Sequence, residues 1–296
     1  MEKDVAYSTF HNHTTFCDGK STAEEMVRAA IDAGCASIGF SGHSYTWFDE
    51  SYCMSLAGAE AYRAEVARLR EAYPAIRILC GVEQDYFSEE PTDDYDFVIG
   101  SVHYVRVAAD GSTAAEGVFA RRPADVAAEL AGRGETPVGL PGRDGEVFLD
   151  VDNTEEAFLA AVGQYFGGDV YAFCAAFFAQ EEDVLRKTGC TFVGHFDLVT
   201  KFNEGDRLFD TADPRYREPA LAAARSLCDQ GALFEINTGA MAKGYRETPY
   251  PAPFILDALR EAGTSVILSA DCHDAAKLQY ALSDDLARGC TIVREL

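Results

Sequence analysis

FHNHTTFCDGKSTAEEMVRAAIDAGCASIGFSGH, residues 10–43, holds a complete strand, helix and strand passage. A short β-prone segment ends in His11 and His13. Ser21 and Glu24 then form a capping-box pattern, Val27, Ala30 and Ile31 share one helical face, and Gly34 supplies the stop. The strand ASIGFS follows at once and runs out into His43. A helix that carries the chain back to begin a second strand in the same sense is the crossover unit of a parallel sheet.

The same rhythm continues outward. β-Branched or aromatic runs are expected as strands near residues 5–10, 36–41, 76–82, 96–102, 191–194, 232–236 and 264–270, with helix-patterned stretches after them. Helices are expected in LAGAEAYRAEVARLREAY, in EEAFLAAVGQYF and VYAFCAAFFAQEEDVLRK on either side of Gly167 and Gly168, and in YREPALAAARSLCDQG. Seven strands alternating with helices predict an α/β barrel of the TIM type. Residues 106–148 break the pattern with glycines, prolines and arginines, and only DVAAELAG resembles a helix there. They are expected to form an insertion over the barrel mouth in an otherwise single domain, 1–296.

Composition narrows the partners. Acidic residues outnumber basic ones 49 to 25, a net charge of −24 that repels nucleic-acid phosphate. No stretch approaches the length of a membrane span, and the first residues lack the apolar run of a signal peptide. Nine cysteines without a C-x-x-C pair suggest reduced thiols and a cytoplasmic setting. The expected partner is a small molecule, with neither nucleic acid nor membrane; the oligomeric state is open.

All six histidines, His11, His13, His43, His103, His195 and His273, fall at or just beyond the end of an expected strand. One such histidine is ordinarily a packed residue. Six placed alike converge on one face of a barrel. His11 and His13, two apart in extended chain, face the same side, and Asp271 with His273 repeats the spacing. Glu83 ends the GVE strand, where a carboxylate can bridge two ions; its bland reading is a surface glutamate. Asp18, before a glycine, reads equally as a turn residue. Imidazole and carboxylate together suit zinc, iron or manganese better than calcium or magnesium, and nine candidates could hold three ions. Such a centre supplies metal-activated hydroxide at neutral pH, so no side-chain nucleophile is required.

The motifs HNHTTFCDG, GFSGHS, GVEQDY, GSVHYV, GHFDLVTKF, EINTGA and SADCHD resemble, in order, those of the PHP superfamily and, within it, the monofunctional histidinol-phosphate phosphatase branch. The resemblance spans the chain except 106–148. It implies a distorted (β/α)7 barrel with a trinuclear centre: His11, His13, Glu83 and Asp271 on one ion; Glu83, His103 and His195 on a second; Asp18, His43 and His273 on a third. It also implies hydrolysis of L-histidinol phosphate in histidine biosynthesis. Lys201 in DLVTKF and Arg246 in KGYRETPYP are the cations such motifs offer to the substrate, and each reads equally as a surface ion-pair residue.

Three other readings compete. EVFLDVDNT matches the D-x-D-x-T pattern of HAD-type phosphatases through Asp150 and Asp152, but leaves six strand-end histidines unexplained; those aspartates are expected to cap a helix starting at Glu155 instead. A PHP-type site acting on another small phosphate ester or a nucleotide is the second. A non-catalytic metal-binding protein is the third. Cys17 and Cys272 lie within the motifs and are expected to be packing residues rather than ligands.

Overall fold

The computed structural model describes residues 6–296. Seven parallel strands make one curled sheet: β1 (Ser37–Phe40), β2 (Arg77–Asp85), β3 (Phe97–Ser101), β7 (Phe192–Val193), β8 (Phe234–Asn237), β9 (Ser265–Ser269) and β10 (Thr291–Val293) neighbour one another in that order. Six are strands expected from sequence. The first expected strand begins at Val5, outside the described residues, and its remainder pairs only at isolated bridges, Thr9 with Ile38 and Asn12 with Cys272. Backbone bonds nevertheless run on both of its sides, from Gly39 N–H to Thr9 and from Cys272 N–H to His11. The Asn12 side-chain amide takes the Thr9 and Gly39 carbonyls, interrupting a regular ladder. The segment thereby lies between β1 and the end of β9. The seventh strand of the sheet, β10, is three residues long and was not expected.

Alternation along the strands builds the barrel from the bottom up. Leu79, Phe97, Ile99, Phe192, Ile267 and Phe10 form a small apolar cluster of their own, whereas Ile78, Cys80, Val82, Val98, Val266 and Leu268 join the main core under the helices. Residues of one parity thus point inward. The Phe97 ring occupies the room a side chain at position 81 would need, since a Cβ on Gly81 would lie 2.3 Å from it. Continuing inward-facing parity one or two steps upward gives Glu83, Ser101, His103, Ser269 and Asp271. An apolar plug therefore sits beneath a polar layer.

Five helices lie where expected: α1 (Ala23–Ala33), α2 (Leu56–Ala72), α4 (Glu155–Phe166), α5 (Val170–Thr188) and α6 (Pro214–Asp229); a five-residue α7 (Gly239–Lys243) after β8 and α8 (Pro253–Glu261) were not named from sequence. The cap of α1 is one residue later than its pattern suggested. Thr22 and Glu25 form the capping box, because the Ser21 hydroxyl is occupied by the Ala275 N–H. Ile31, expected on the buried face, is 42% exposed.

Residues 106–148 are ordered around a second sheet. β4 (Tyr104–Val107), β6 (Val147–Asp150) and β5 (Leu140–Pro141) pair antiparallel, and α3 (Pro123–Ala131) is the one helix foreseen there. β4 follows β3 directly through His103, and Val151 N–H bonds the His103 carbonyl. Tyr104 stands opposite Asp150 across the ladder. The small sheet is thereby anchored beside the strand ends. All nine cysteines are unpaired. No helix among the described residues is long and apolar enough to cross a membrane.

Candidate metal centre and active-site cavity

Glu83, at the upper part of β2 and 1% exposed, is the hub. Its Oε2 lies 3.2 Å from His11 Nε2, 3.3 Å from His13 Nε2 and 3.0 Å from His43 Nδ1. Its Oε1 lies 3.4 Å from His103 Nε2 and 2.9 Å from His195 Nε2. Asp271 Oδ1 approaches His11 Nε2 at 3.6 Å and His13 Nε2 at 3.3 Å. Asp18 is 3.7 Å from His43 Nε2 through Oδ1 and 3.0 Å from His273 Nε2 through Oδ2. All nine residues anticipated from sequence come together.

The spacing fits metal ions. Ligand atoms bound at about 2.1 Å to one ion stand roughly 3.0–3.4 Å apart along the edges of its coordination polyhedron. His11 Nε2, His13 Nε2 and Glu83 Oε2 are buried, face one another and make no hydrogen bond. Three buried polar atoms left this way would each cost free energy unless a cation joined them. Compact donor groups form from His11, His13 and Glu83; from His43, Glu83 and His103; and from His13, Asp18, His43 and His273. This grouping differs from the one the resemblance implies. His13 Nδ1 is also 3.5 Å from Asp18, so the His13 and His43 rings stand where either can serve two neighbours.

The electrostatics prepare the donors. Against the cost of burial, surrounding imidazoles hold the Glu83 and Asp271 carboxyls well below the usual range, so both are anions. Burial, with His273 and His43 alongside, pushes the His13 imidazole down to about 3 and keeps it neutral. Burial opposes charge on His11 too, but Glu235, Asp271 and Glu83 override it and raise that pKa.

A layer behind the donors fixes their orientation, and sequence reading missed it. Glu235, wholly buried on β8, meets His11 Nδ1 at 2.6 Å, and its other oxygen accepts from His195 N–H at 2.8 Å and from Asn237 Nδ2 at 2.9 Å. Asp85 meets His103 Nδ1 at 3.1 Å, and Ser101 donates to Glu83 at 2.7 Å. For His11 and His103 the ring nitrogen away from the cluster is held, leaving Nε2 toward it. The one available signal was a charge inside the apolar strand FEIN. Gly239 is required here, because a Cβ would lie 2.7 Å from that of Asp271, whose own φ of +45° is left-handed.

The cavity above the cluster is about 280 Å³ in volume, and its far side is formed by Asp49, Tyr52, Tyr104, Asp150, Asp152 and Lys201. Phe48 stacks on Phe148 at 3.8 Å and Tyr104 donates to Asp49 at 2.8 Å, which ties the loop after His43 to the antiparallel sheet. Asp150 and Asp152 do not cap α4, contrary to expectation: Thr154 does, accepting from Ala157 N–H. Asp152 instead binds Lys201 at 2.9 Å. Asp150 ends a short antiparallel strand, which is not the parallel strand end on which a HAD-type nucleophile sits.

Of the two anticipated cations, Lys201 lines the cavity, whereas Arg246 stands behind the Tyr250 ring, its guanidinium 4.7 Å from the centroid and bonded to Thr200 and Thr248. Lys243, which sequence reading passed over, lines the cavity and has no hydrogen bond or ion pair among the described residues. Cys17 and Cys272 join none of the donor groups; burial pushes each thiol up to about 12.

A parallel barrel whose strand ends gather imidazoles and carboxylates at coordination spacing defines a protein built for metal-assisted chemistry on a small ligand. The PHP domain family matches residues 9–239, and the chain belongs to that family. A protein of Deinococcus radiodurans named as a histidinol-phosphatase is 26% identical over 286 residues, 93% of this chain and 89% of that protein. One of Schizosaccharomyces pombe with the same name is 24% identical, over 95% of this chain and 86% of its own. Among solved structures, one from Listeria monocytogenes assigned as a histidinol phosphatase superposes with a TM-score of 0.68 at 17% identity, covering 93% of this chain and 98% of that one. Histidinol phosphate phosphatase of Lactococcus lactis, solved with zinc, L-histidinol and phosphate, gives 0.56 at 20% identity, covering 95% and 89%. These two likenesses establish the fold.

Proposed function

We propose that this chain is a metal-dependent phosphomonoesterase that hydrolyses L-histidinol phosphate to L-histidinol and phosphate. The observation that carries the reading is the convergence of five imidazoles on the buried carboxylate of Glu83, whose Oε2 is unbonded, with Asp271 against two of the same rings. Three divalent ions, of zinc, iron or manganese, would be held in the partition the family resemblance implies: His11, His13, Glu83 and Asp271 for one, Glu83, His103 and His195 for another, and Asp18, His43 and His273 for the last, with the His13 and His43 rings also within reach of a neighbouring ion. Ions bound by these residues would supply a water nucleophile at neutral pH and positive charge beside the phosphoryl oxygens.

The chain's own part is positioning. Glu235, Asp85 and Ser101 fix the donors, and the apolar plug below excludes water from that side. Lys243 and Lys201 bring positive charge to a cavity that is otherwise acidic, and the phosphate of a substrate is their natural counter-ion. Arg246 supports the site through Tyr250. Relatives named as histidinol-phosphatases along nearly the whole chain support the substrate.

The test is phosphate release from L-histidinol phosphate beside a panel of small phosphomonoesters, with metal-analysed protein, with and without chelator. A chelator-sensitive preference for L-histidinol phosphate is expected. Preference for another ester would move the substrate, and metal-loaded protein that released nothing would remove the phosphatase reading.

A further inference from the structure

One of the six histidines stands apart in how its second nitrogen is held. Glu235 stands behind His11, Asp85 behind His103, and the Asp271 carbonyl meets His273 Nδ1 at 2.9 Å. His13 and His43 each reach Asp18 through the nitrogen not turned to Glu83. His195 turns Nε2 to Glu83 at 2.9 Å, which leaves Nδ1 facing away from the cluster. That nitrogen is buried and meets no acceptor among the described residues. An imidazole that gives one nitrogen to an ion carries its proton on the other, and a buried N–H without an acceptor is costly.

Two more unpartnered atoms belong to its surroundings. Asp197, two residues further along the chain and wholly buried, accepts the Ala252 N–H at 3.0 Å through Oδ2, while its Oδ1 has no partner. The Tyr250 ring meets the His195 ring edge-on, 6.5 Å between centroids, and its buried hydroxyl is likewise unpartnered. The Ala252 bond pins the Tyr250 segment to the His195 turn. Burial raises the Tyr250 hydroxyl, and the Asp197 charge adds to the rise against Arg246, so the two lie within electrostatic reach. The three atoms are one donor, one acceptor and one group that can be either, with no direct bond among them. A single buried water, which typically makes about three hydrogen bonds, answers all of them.

We propose that Asp197 is the positioning residue of His195, acting through one water that accepts from His195 Nδ1–H, donates to Asp197 Oδ1 and is completed by the Tyr250 hydroxyl. The water fixes the ring plane and the proton of His195, so that Nε2 stays toward Glu83. Glu235 does the same for His11 by direct contact. Asp197 touches neither substrate nor ion, and Arg246, behind the Tyr250 ring, keeps that ring in place. The inference rests on the reading of His195 as a metal donor and needs no particular substrate.

Three substrate-free readouts test it: zinc affinity by competition with a chelator, the visible absorption of cobalt-loaded protein, and a high-resolution crystal structure of the unmodified zinc-loaded protein. Asp197→Asn keeps an oxygen for the Ala252 N–H but turns a donor toward the water. Zinc affinity is expected to fall roughly tenfold, with a shifted cobalt spectrum. Tyr250→Phe, which keeps the ring, should weaken zinc about fivefold. Because both act through one water, the double variant should lose no more than Asp197→Asn alone, where independent effects would multiply to about fiftyfold. Independent losses, or an unchanged affinity and spectrum in Asp197→Asn, would overturn the proposal. If Asp197→Asn does not fold, the crystal structure decides. A water within about 3.2 Å of His195 Nδ1, Asp197 Oδ1 and the Tyr250 hydroxyl upholds the proposal, and a His195 Nδ1 without that water overturns it. Protein that took up no zinc would end the metal-donor reading and this inference with it, whereas zinc uptake without phosphate release would end only the phosphatase reading.

Discussion

The two walls of the cavity are built by opposite means. The metal-facing wall is assembled from strand ends scattered between His11 and His273, each contributing one or two donors to a cluster centred on Glu83. The opposing wall is local: β4, β6 and the loop after His43, joined by Phe48 on Phe148 and by Tyr104 on Asp49. One wall gathers donors whose chemistry tolerates little movement, and the other closes the cavity opposite them. Barrel enzymes divide labour this way because the strand ends are rigid while segments between them can change.

The largest effect is expected at Glu83 in the metal-facing wall. Replacing it with Gln removes a charge shared by five imidazoles, and we expect kcat/KM to fall about a thousandfold or more with loss of bound metal, while circular dichroism retains the barrel. Near-normal turnover would mean that the hub is structural. Glu235→Gln touches no donor oxygen or Nε2, yet it loosens His11 and the His195 backbone. A loss of roughly 10–100-fold in metal affinity is expected, partly restored in rate by excess metal. A rate defect that excess metal leaves untouched would place Glu235 elsewhere in the reaction.

Smaller effects sharpen the same division. Lys243→Ala should raise KM for a phosphate ester about five- to tenfold with metal content unchanged, and a KM that stays put would exclude it from phosphate binding. The smallest effect concerns stability. Burial and Asp152 raise the Asp150 carboxyl. Its contribution to stability is therefore fully present below the unfolded-state pKa and is lost as pH rises through the higher folded-state value. Asp150→Asn should thus stabilise metal-free protein by about 1 kcal/mol near pH 8, after discounting for partial exposure, and by almost nothing near pH 3. A gain that grew toward acid pH would mean that the Asp150 carboxyl is lowered, not raised, by folding.

The metal-facing wall was legible in the sequence for a physical reason. Histidine is scarce in this chain, and each one follows an apolar run whose end must lie on the same barrel face. Strand positions were equally legible wherever β-branched residues ran together, as in VILS before Asp271. The short TIV of β10 carried too little signal, and the segment at Thr9–Asn12 behaves as a strand through bridges and an Asn12 side chain that no pattern announces. The second wall was harder to read because its residues have ordinary local alternatives. Asp150 and Asp152 look like caps before α4, and only the fold shows Thr154 in that role and Lys201 on Asp152. Glu235 was hidden differently: a buried glutamate makes sense only once His11, distant in sequence, is known to face it.

The most direct test of the central claim is stepwise metal return to chelator-stripped protein, with bound metal per chain and phosphate release from L-histidinol phosphate measured on the same samples. No release is expected without metal, and the rate should rise with zinc or manganese until about three equivalents are bound. Full activity in demonstrably metal-free protein, or saturation of the nine-residue cluster without any phosphate release, would contradict it.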